Sequence, residues 1–176
     1  MMDSRLRCMI DASVIINLHH GGVLKDITGL PFDFLTPDIV LAEHTNPPPD
    51  EVLRSGIRAG ELPDVLVQQA AVLAPQNRKL SIQDIFAFVL ARHHRCLLVT
   101  DDGRLRTLAG RQVTECHGTL WIMGEMVERG VLNPAAACTA LGIMLVKNAR
   151  LPAAECEERQ KAWREMQDST LTANRE

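Results

Sequence analysis

The chain reads as a three-layer α/β/α fold, with a central, mostly parallel sheet between helices and a helical extension at the C-terminus. Three observations predict it. Short apolar runs alternate with segments of helical periodicity from residue 5 to residue 116. One run, Cys96-Leu97-Leu98-Val99-Thr100, is continuously apolar, the pattern of a strand covered on both faces. After His117-Gly118 the character changes, and three helical segments follow one another.

The first strand is expected over 5–10 and runs directly into Asp11 and a short apolar helix over 14–20, which Gly21-Gly22 ends. A short strand is expected over 32–35. Thr36-Pro37-Asp38 then starts a helix, with Thr36 as cap and Pro37 at its first position, carrying Ile39, Val40, Leu41 and Glu43. The run Asn46-Pro47-Pro48-Pro49-Asp50 must end it. A second helix is expected over 50–59, stopped by Gly60, and a Val- and Leu-rich strand over 64–69.

The clearest helix covers 81–94, with Ile85, Phe88, Val89 and Ala91 at helical spacing and a basic end, Arg92-His93-His94-Arg95. The buried strand 96–100 follows, then the turn Asp101-Asp102-Gly103, a short helix over 104–109 and an edge strand over 113–116. Helices over 119–129, from Asn133-Pro134 to about 148, and over 151–167 complete the chain. The polar residues from Ser169 read as a disordered tail.

The length of 176 residues suits one domain, and 46% hydrophobic residues support a substantial core. With 3% aromatics and no Tyr, that core is built from Leu, Val, Ile, Ala and Met. The same scarcity argues against a base-stacking platform. A net charge of −3 provides no global basic field. The positive charge is 15 Arg against 4 Lys, a bias toward fork-like phosphate contacts that GC-rich coding also produces. Five scattered cysteines without a CxxC pair indicate reduced thiols in a cytoplasmic protein. No signal peptide opens the chain and no apolar run approaches ~20 residues, so a soluble protein is expected, neither secreted nor membrane-spanning.

In a parallel sheet, strand ends and helix starts share one edge, so Asp11, Asp84 and Asp101/Asp102 are expected to converge, with Glu43 leaning in. Each has a simpler role available. Ser81-Ile82-Gln83-Asp84 matches a capping box, Asp101-Asp102-Gly103 is turn chemistry, and Glu43 is an ordinary solvated helix residue. Asp11 resists such an account, because a lone carboxylate between an apolar strand and an apolar helix is costly to bury. Several carboxylates together call for hard divalent cations, Mg²⁺ or Mn²⁺, which suit phosphodiester hydrolysis.

Asp11-Ala12-Ser13 after an apolar strand resembles the opening motif of PIN-domain nucleases. The runs Asp38-Ile39-Val40-Leu41-Ala42-Glu43, Leu80-Ser81-Ile82-Gln83-Asp84-Ile85-Phe86-Ala87 and Leu98-Val99-Thr100-Asp101-Asp102 resemble the second, third and fourth. Asp101-Asp102-Gly103-Arg104-Leu105-Arg106, His117-Gly118-Thr119-Leu120 and Arg129-Gly130-Val131-Leu132 resemble a prokaryotic branch near the VapC-like toxins. The resemblance implies catalytic Asp11, Glu43, Asp84 and Asp102, with Asp11, Asp84, Asp102 and the neighbouring Asp101 around Mg²⁺ or Mn²⁺. Ser13 and Thr100 would support the site, and Arg104 and Arg106, within a group including Arg92, Arg95 and Arg111, would hold phosphate.

The implied activity is endoribonuclease cleavage by metal-activated water, leaving a 5′-phosphate and a 3′-hydroxyl, as the toxin of a toxin–antitoxin pair. The expected partners are RNA, an antitoxin protein and a second copy of the chain as a homodimer, with no membrane. The expected organisation is a nuclease domain over 1–132, a helical extension over 133–168 packed on it, and a tail over 169–176. The competing readings are a catalytically weak scaffold that binds RNA or protein, a phosphatase, for which Ser13 stands where a second acid is wanted, and a phosphoacceptor receiver, for which residues 1–40 offer no acid pair.

Overall fold

A computed structural model describes residues 5–112 and 114–173. Val113, where the last strand was expected to begin, and tail residues 174–176 lie outside the described residues. Among the described residues one sheet is formed by β1 (Leu6–Ile10), β2 (Phe32–Pro37), β3 (Arg58–Gly60), β4 (Leu97–Val99) and β5 (Cys116–His117). Its order is β3-β2-β1-β4-β5 and every pairing is parallel. The chain builds outward from β1 on one side, then crosses to β4 on the other. The switch point therefore falls between β1 and β4, where Cys8 pairs with Leu97 and Ile10 with Val99.

Two helical layers cover the sheet, as the uninterrupted apolar strands require. Cys8, Ile10, Leu97 and Val99 face one layer, which includes α1 (Ala12–His20), α7 (Thr119–Glu128), α8 (Pro134–Val146) and α9 (Ala153–Ala173). Met9 and Leu98, one residue out of phase, face the other, formed by α4 (Asp64–Leu73), α5 (Ile82–His94) and α6 (Gly103–Arg111). Cys156 and Trp163 of α9 are buried in the same cluster as Val14 and Leu18 of α1, so the C-terminal helices share the core. No described helix is long and apolar enough to cross a membrane.

The structure departs from the sequence reading at four places. The strand expected over 64–69 is helix α4, which buries Leu66 and Ala70 one turn apart and leaves Val65, Val67 and Val72 exposed. The helix expected over 50–59 ends early: α3 is Pro49–Arg54, Gly56 turns at φ +84°, and the chain re-enters the sheet as β3. Thr36 does not cap α2 (Asp38–Glu43); it lies within β2, its hydroxyl is buried without a partner among the described residues, and Asp38 bonds the Ile39 N–H instead. The tail expected from Ser169 remains helical as far as Ala173.

Candidate active site

Asp11 stands at the switch point. Its backbone N–H still bonds Val99 across the sheet, and its side chain caps α1. One carboxylate oxygen accepts from the Ala12 N–H at 2.7 Å; the other accepts from the Ser13 hydroxyl at 2.9 Å and the Thr100 hydroxyl at 2.8 Å. The residue is 3% exposed. Burial pushes its carboxyl above the usual carboxylate range, Asp84 adds to the rise, and the donors from Thr100, Ser13 and Ala12 oppose it. No cationic side chain is paired with it among the described residues.

The two acids beyond β4 are used differently. Asp101 accepts from the Thr119 N–H at 2.9 Å, and its second oxygen accepts from the Asn17 amide at 2.9 Å and the Thr119 hydroxyl at 2.5 Å. Both its oxygens are committed to neutral donors on α1 and α7. Asp102 caps α6 through one oxygen, which accepts from Arg104 and Leu105 N–H at 2.9 and 2.8 Å. Its other oxygen accepts no hydrogen bond among the described residues, and its own N–H donates to Thr100 at 3.1 Å. Thr100 thus joins Asp11 to the start of α6.

Asp84 sits in the first turn of α5 and completes the capping box. Its N–H donates to the Ser81 hydroxyl at 3.1 Å, and its carboxylate accepts from the Ser81 N–H at 2.8 Å. Glu43, at the end of α2, accepts from Gln83 at 2.5 Å, so α2 is tied to the start of α5. The capping role and the electrostatic effect on Asp11 coexist in Asp84.

A cleft of about 700 Å³ opens beside this network, lined by Ser13, Asn17, Asp101 and Asp102 and by the loop between α8 and α9. Arg104 also lines it, and its guanidinium donates to the Lys79 carbonyl at 3.1 Å. Arg106 lies near Asp101 and Gly118. Arg92 and Arg95 do not flank the site. They stand at the far end of α5, where His94 meets Arg7 near the start of β1 at 3.2 Å, so they occupy the opposite edge of the sheet. Arg111 stands in the last turn of α6 and lines a second pocket together with Arg104, Arg78 and Lys79.

A family model described as a PIN domain matches residues 7–165. The chain belongs to the PIN-domain family. No curated protein and no solved structure matches it. PIN domains are generally nucleases, so the fold described above is a nuclease fold, and the match runs through α8 and into α9.

PIN nucleases usually use divalent metals, and the residues present can be tested against such an ion. The donors are all oxygen, the chemistry hard cations prefer. Among the described residues no three His, Cys, Asp or Glu side chains gather as a group that could hold an ion alone. The convergence of three or four carboxylates expected from the sequence is therefore not formed. Instead Asp84 acts on Asp11 through its charge, while Asp101 and Asp102 line the adjoining cleft. A Mg²⁺-type ion fits that arrangement, since it binds through one or two carboxylates and keeps water and substrate phosphate for the rest. The buried Asp11 carboxylate, without a cationic partner among the described residues, is the observation that favours the fit.

Asn17, Thr119 and Gln83 were given no site role from the sequence. Asn17 carried a signal, since it is the one amide within an apolar helix. Thr119 and Gln83 carried none, because their partners are far away in the chain.

Proposed function

We propose that this PIN protein is a Mg²⁺- or Mn²⁺-dependent endoribonuclease. The observation that carries the reading is Asp11: a buried carboxylate at the switch point, held by three neutral donors, beside a second acid and without a cationic partner. Asp11 and Asp84 would hold the ion, with Asp102 and Glu43 completing the acidic set. When bound, the ion supplies Lewis acidity at a phosphate oxygen and lowers the pKa of a water molecule. Ser13 and Thr100 fix the orientation of the Asp11 carboxylate, as supporting groups do around metal-binding side chains. Arg104 and Arg106 offset phosphate charge at the start of α6. Water adds across the phosphodiester, leaving a 5′-phosphate and a 3′-hydroxyl.

The test is cleavage of a labelled single-stranded RNA by the purified protein in Mg²⁺, Mn²⁺ or EDTA, beside Asp11→Asn and Asp84→Asn. The reading expects cleavage in either metal, none in EDTA, and products carrying 5′-phosphates. Metal-independent cleavage by all three proteins, or products ending in cyclic phosphate, would overturn it.

The further reading as the toxin of a type II pair rests on the resemblance of stretches within residues 101–132 to a prokaryotic branch near the VapC-like toxins. Its test is growth arrest on expression in a bacterial host, relieved by co-expression of a neighbouring small open reading frame. A second reading, an RNA- or protein-binding scaffold with little catalysis, is favoured by one observation: both Asp101 oxygens and one Asp84 oxygen are already satisfied within the protein. RNA binding without cleavage in any metal would favour it.

A further inference from the structure

Part of the lining of the cleft that holds Asp101 and Asp102 comes from the C-terminal helices. Lys147, Asn148, Ala149 and Arg150, between α8 and α9, line it together. Neither Lys147 nor Arg150 has an ion-pair partner among the described residues. In a chain of net charge −3, two unpaired cations line one open cleft with Asp101, Asp102 and Arg104.

The loop that presents them is built, not merely exposed. Asn148 takes the left-handed conformation at φ 64°. The Ala149 N–H reaches back to Met144 and the Asn148 N–H to Leu145, both at 3.0 Å, the paired bonds of a Schellman motif with Asn in the position Gly usually fills. Met144 before the loop is fully buried, and Leu151 after it packs on the same core cluster. α8 is set tightly against the end of α1: a Cβ at Gly21 would lie 2.4 Å from the Met144 Cε and 3.2 Å from the Ala140 carbonyl. The side chains at 147 and 150 therefore project from a fixed backbone, the condition for a preorganised binding group.

From this placement we infer that Lys147 and Arg150 form a phosphate-binding wall, which holds the RNA backbone in the cleft that Asp101 and Asp102 also line. The inference deepens the nuclease reading and rests on it for the identity of the ligand as RNA. It gives the C-terminal helices a part in substrate binding as well as in the core. The two cations bind phosphate as positioning groups and take no part in bond cleavage, so they contribute to ground state and transition state alike.

The test uses the full chain and a fluorescein-labelled single-stranded oligoribonucleotide. Binding is followed by anisotropy in Ca²⁺ across a salt series, and cleavage is followed separately in Mg²⁺. Lys147→Ala/Arg150→Ala is expected to raise KM roughly 10-fold with kcat little changed. It is also expected to flatten the log K against log salt slope by about 1.4, from about 0.7 per phosphate contact on a single strand. Lys147→Arg/Arg150→Lys restores the slope, and Lys161→Ala, elsewhere in the same helical region, leaves it unchanged. Circular dichroism melts establish that each variant is folded.

If the parent protein cleaves RNA and the double alanine variant, still folded, keeps the same KM and salt slope, the inference is overturned while the nuclease reading stands. Loss of kcat with KM and slope unchanged also overturns it. If the parent binds but never cleaves, and the variant loses slope, the wall stands and the nuclease reading fails. If the parent neither binds nor cleaves, both fail.

Discussion

The Thr100 hydroxyl donates to the Asp11 carboxylate at 2.8 Å, bridging the two strands that flank the switch point. The hydroxyl also accepts from the Asp102 N–H, so one side chain sets the spacing between the acids after β1 and β4. Thr100→Val keeps the shape and removes both contacts. It is expected to cost about 1.5–3 kcal/mol of stability, the value of a hydrogen bond to a charged group, and to lower activity by about 10–100-fold. Thr100→Ser should retain most of both. Urea unfolding and initial cleavage rates check this; equal rates for Val and Ser variants would remove Thr100 from the account.

Asp11 also makes stability depend on pH with an unusual sign. Burial, and to a lesser extent the charge of Asp84, raise its folded carboxyl above its unfolded value of ~3.9. Between those two values the folded protein binds more protons, so stability falls as pH rises through that window, and below it Asp11 contributes no slope. In EDTA, the difference in unfolding free energy between the parent and Asp11→Asn should therefore shift against the parent from pH 4 toward neutrality. Mg²⁺ should reverse this by compensating the ionised form. Parallel stability curves for the two proteins in EDTA would contradict the assignment.

Gly118 shows how the fold accommodates the second pair of acids. A Cβ there would stand 2.4 Å from an Asp101 carboxylate oxygen, 3.2 Å from the Arg106 guanidinium and 3.3 Å from the Thr100 carbonyl. The Arg can move, but Asp101 is pinned by Asn17 and Thr119. Gly118→Ala is expected to destabilise by about 1–3 kcal/mol as an overpacked site, and to reduce cleavage. A thermal melt and activity matching the parent's would show that Asp101 is not held as described.

The starts of several elements were readable because they rest on local signals. Ser81 and Asp84 announce the start of α5, and the apolar run at β4 announces a buried strand. The stretch over 64–69 misled because Val65 and Val67 suggest strand by composition; they are exposed, and Pro63 with Asp64 at the helix start carried the better signal. Arg92 and Arg95 were grouped with Arg104 by closeness in sequence, but α5 carries them to the opposite edge while α6 starts at the site. The partners of Asp101 were hidden for the same reason: Asn17 and Thr119 stand 84 positions earlier and 18 later. Only packing reveals such partners.

The central claim is that Asp11 anchors a divalent-ion site. Electron paramagnetic resonance of Mn²⁺ titrated into the RNA-free protein tests it most directly, with Asp11→Asn alongside and both proteins verified as folded. The account predicts that the parent removes Mn²⁺ from the free-ion signal saturably, and that Asp11→Asn loses this binding along with cleavage. Equal Mn²⁺ binding by the two proteins would contradict it.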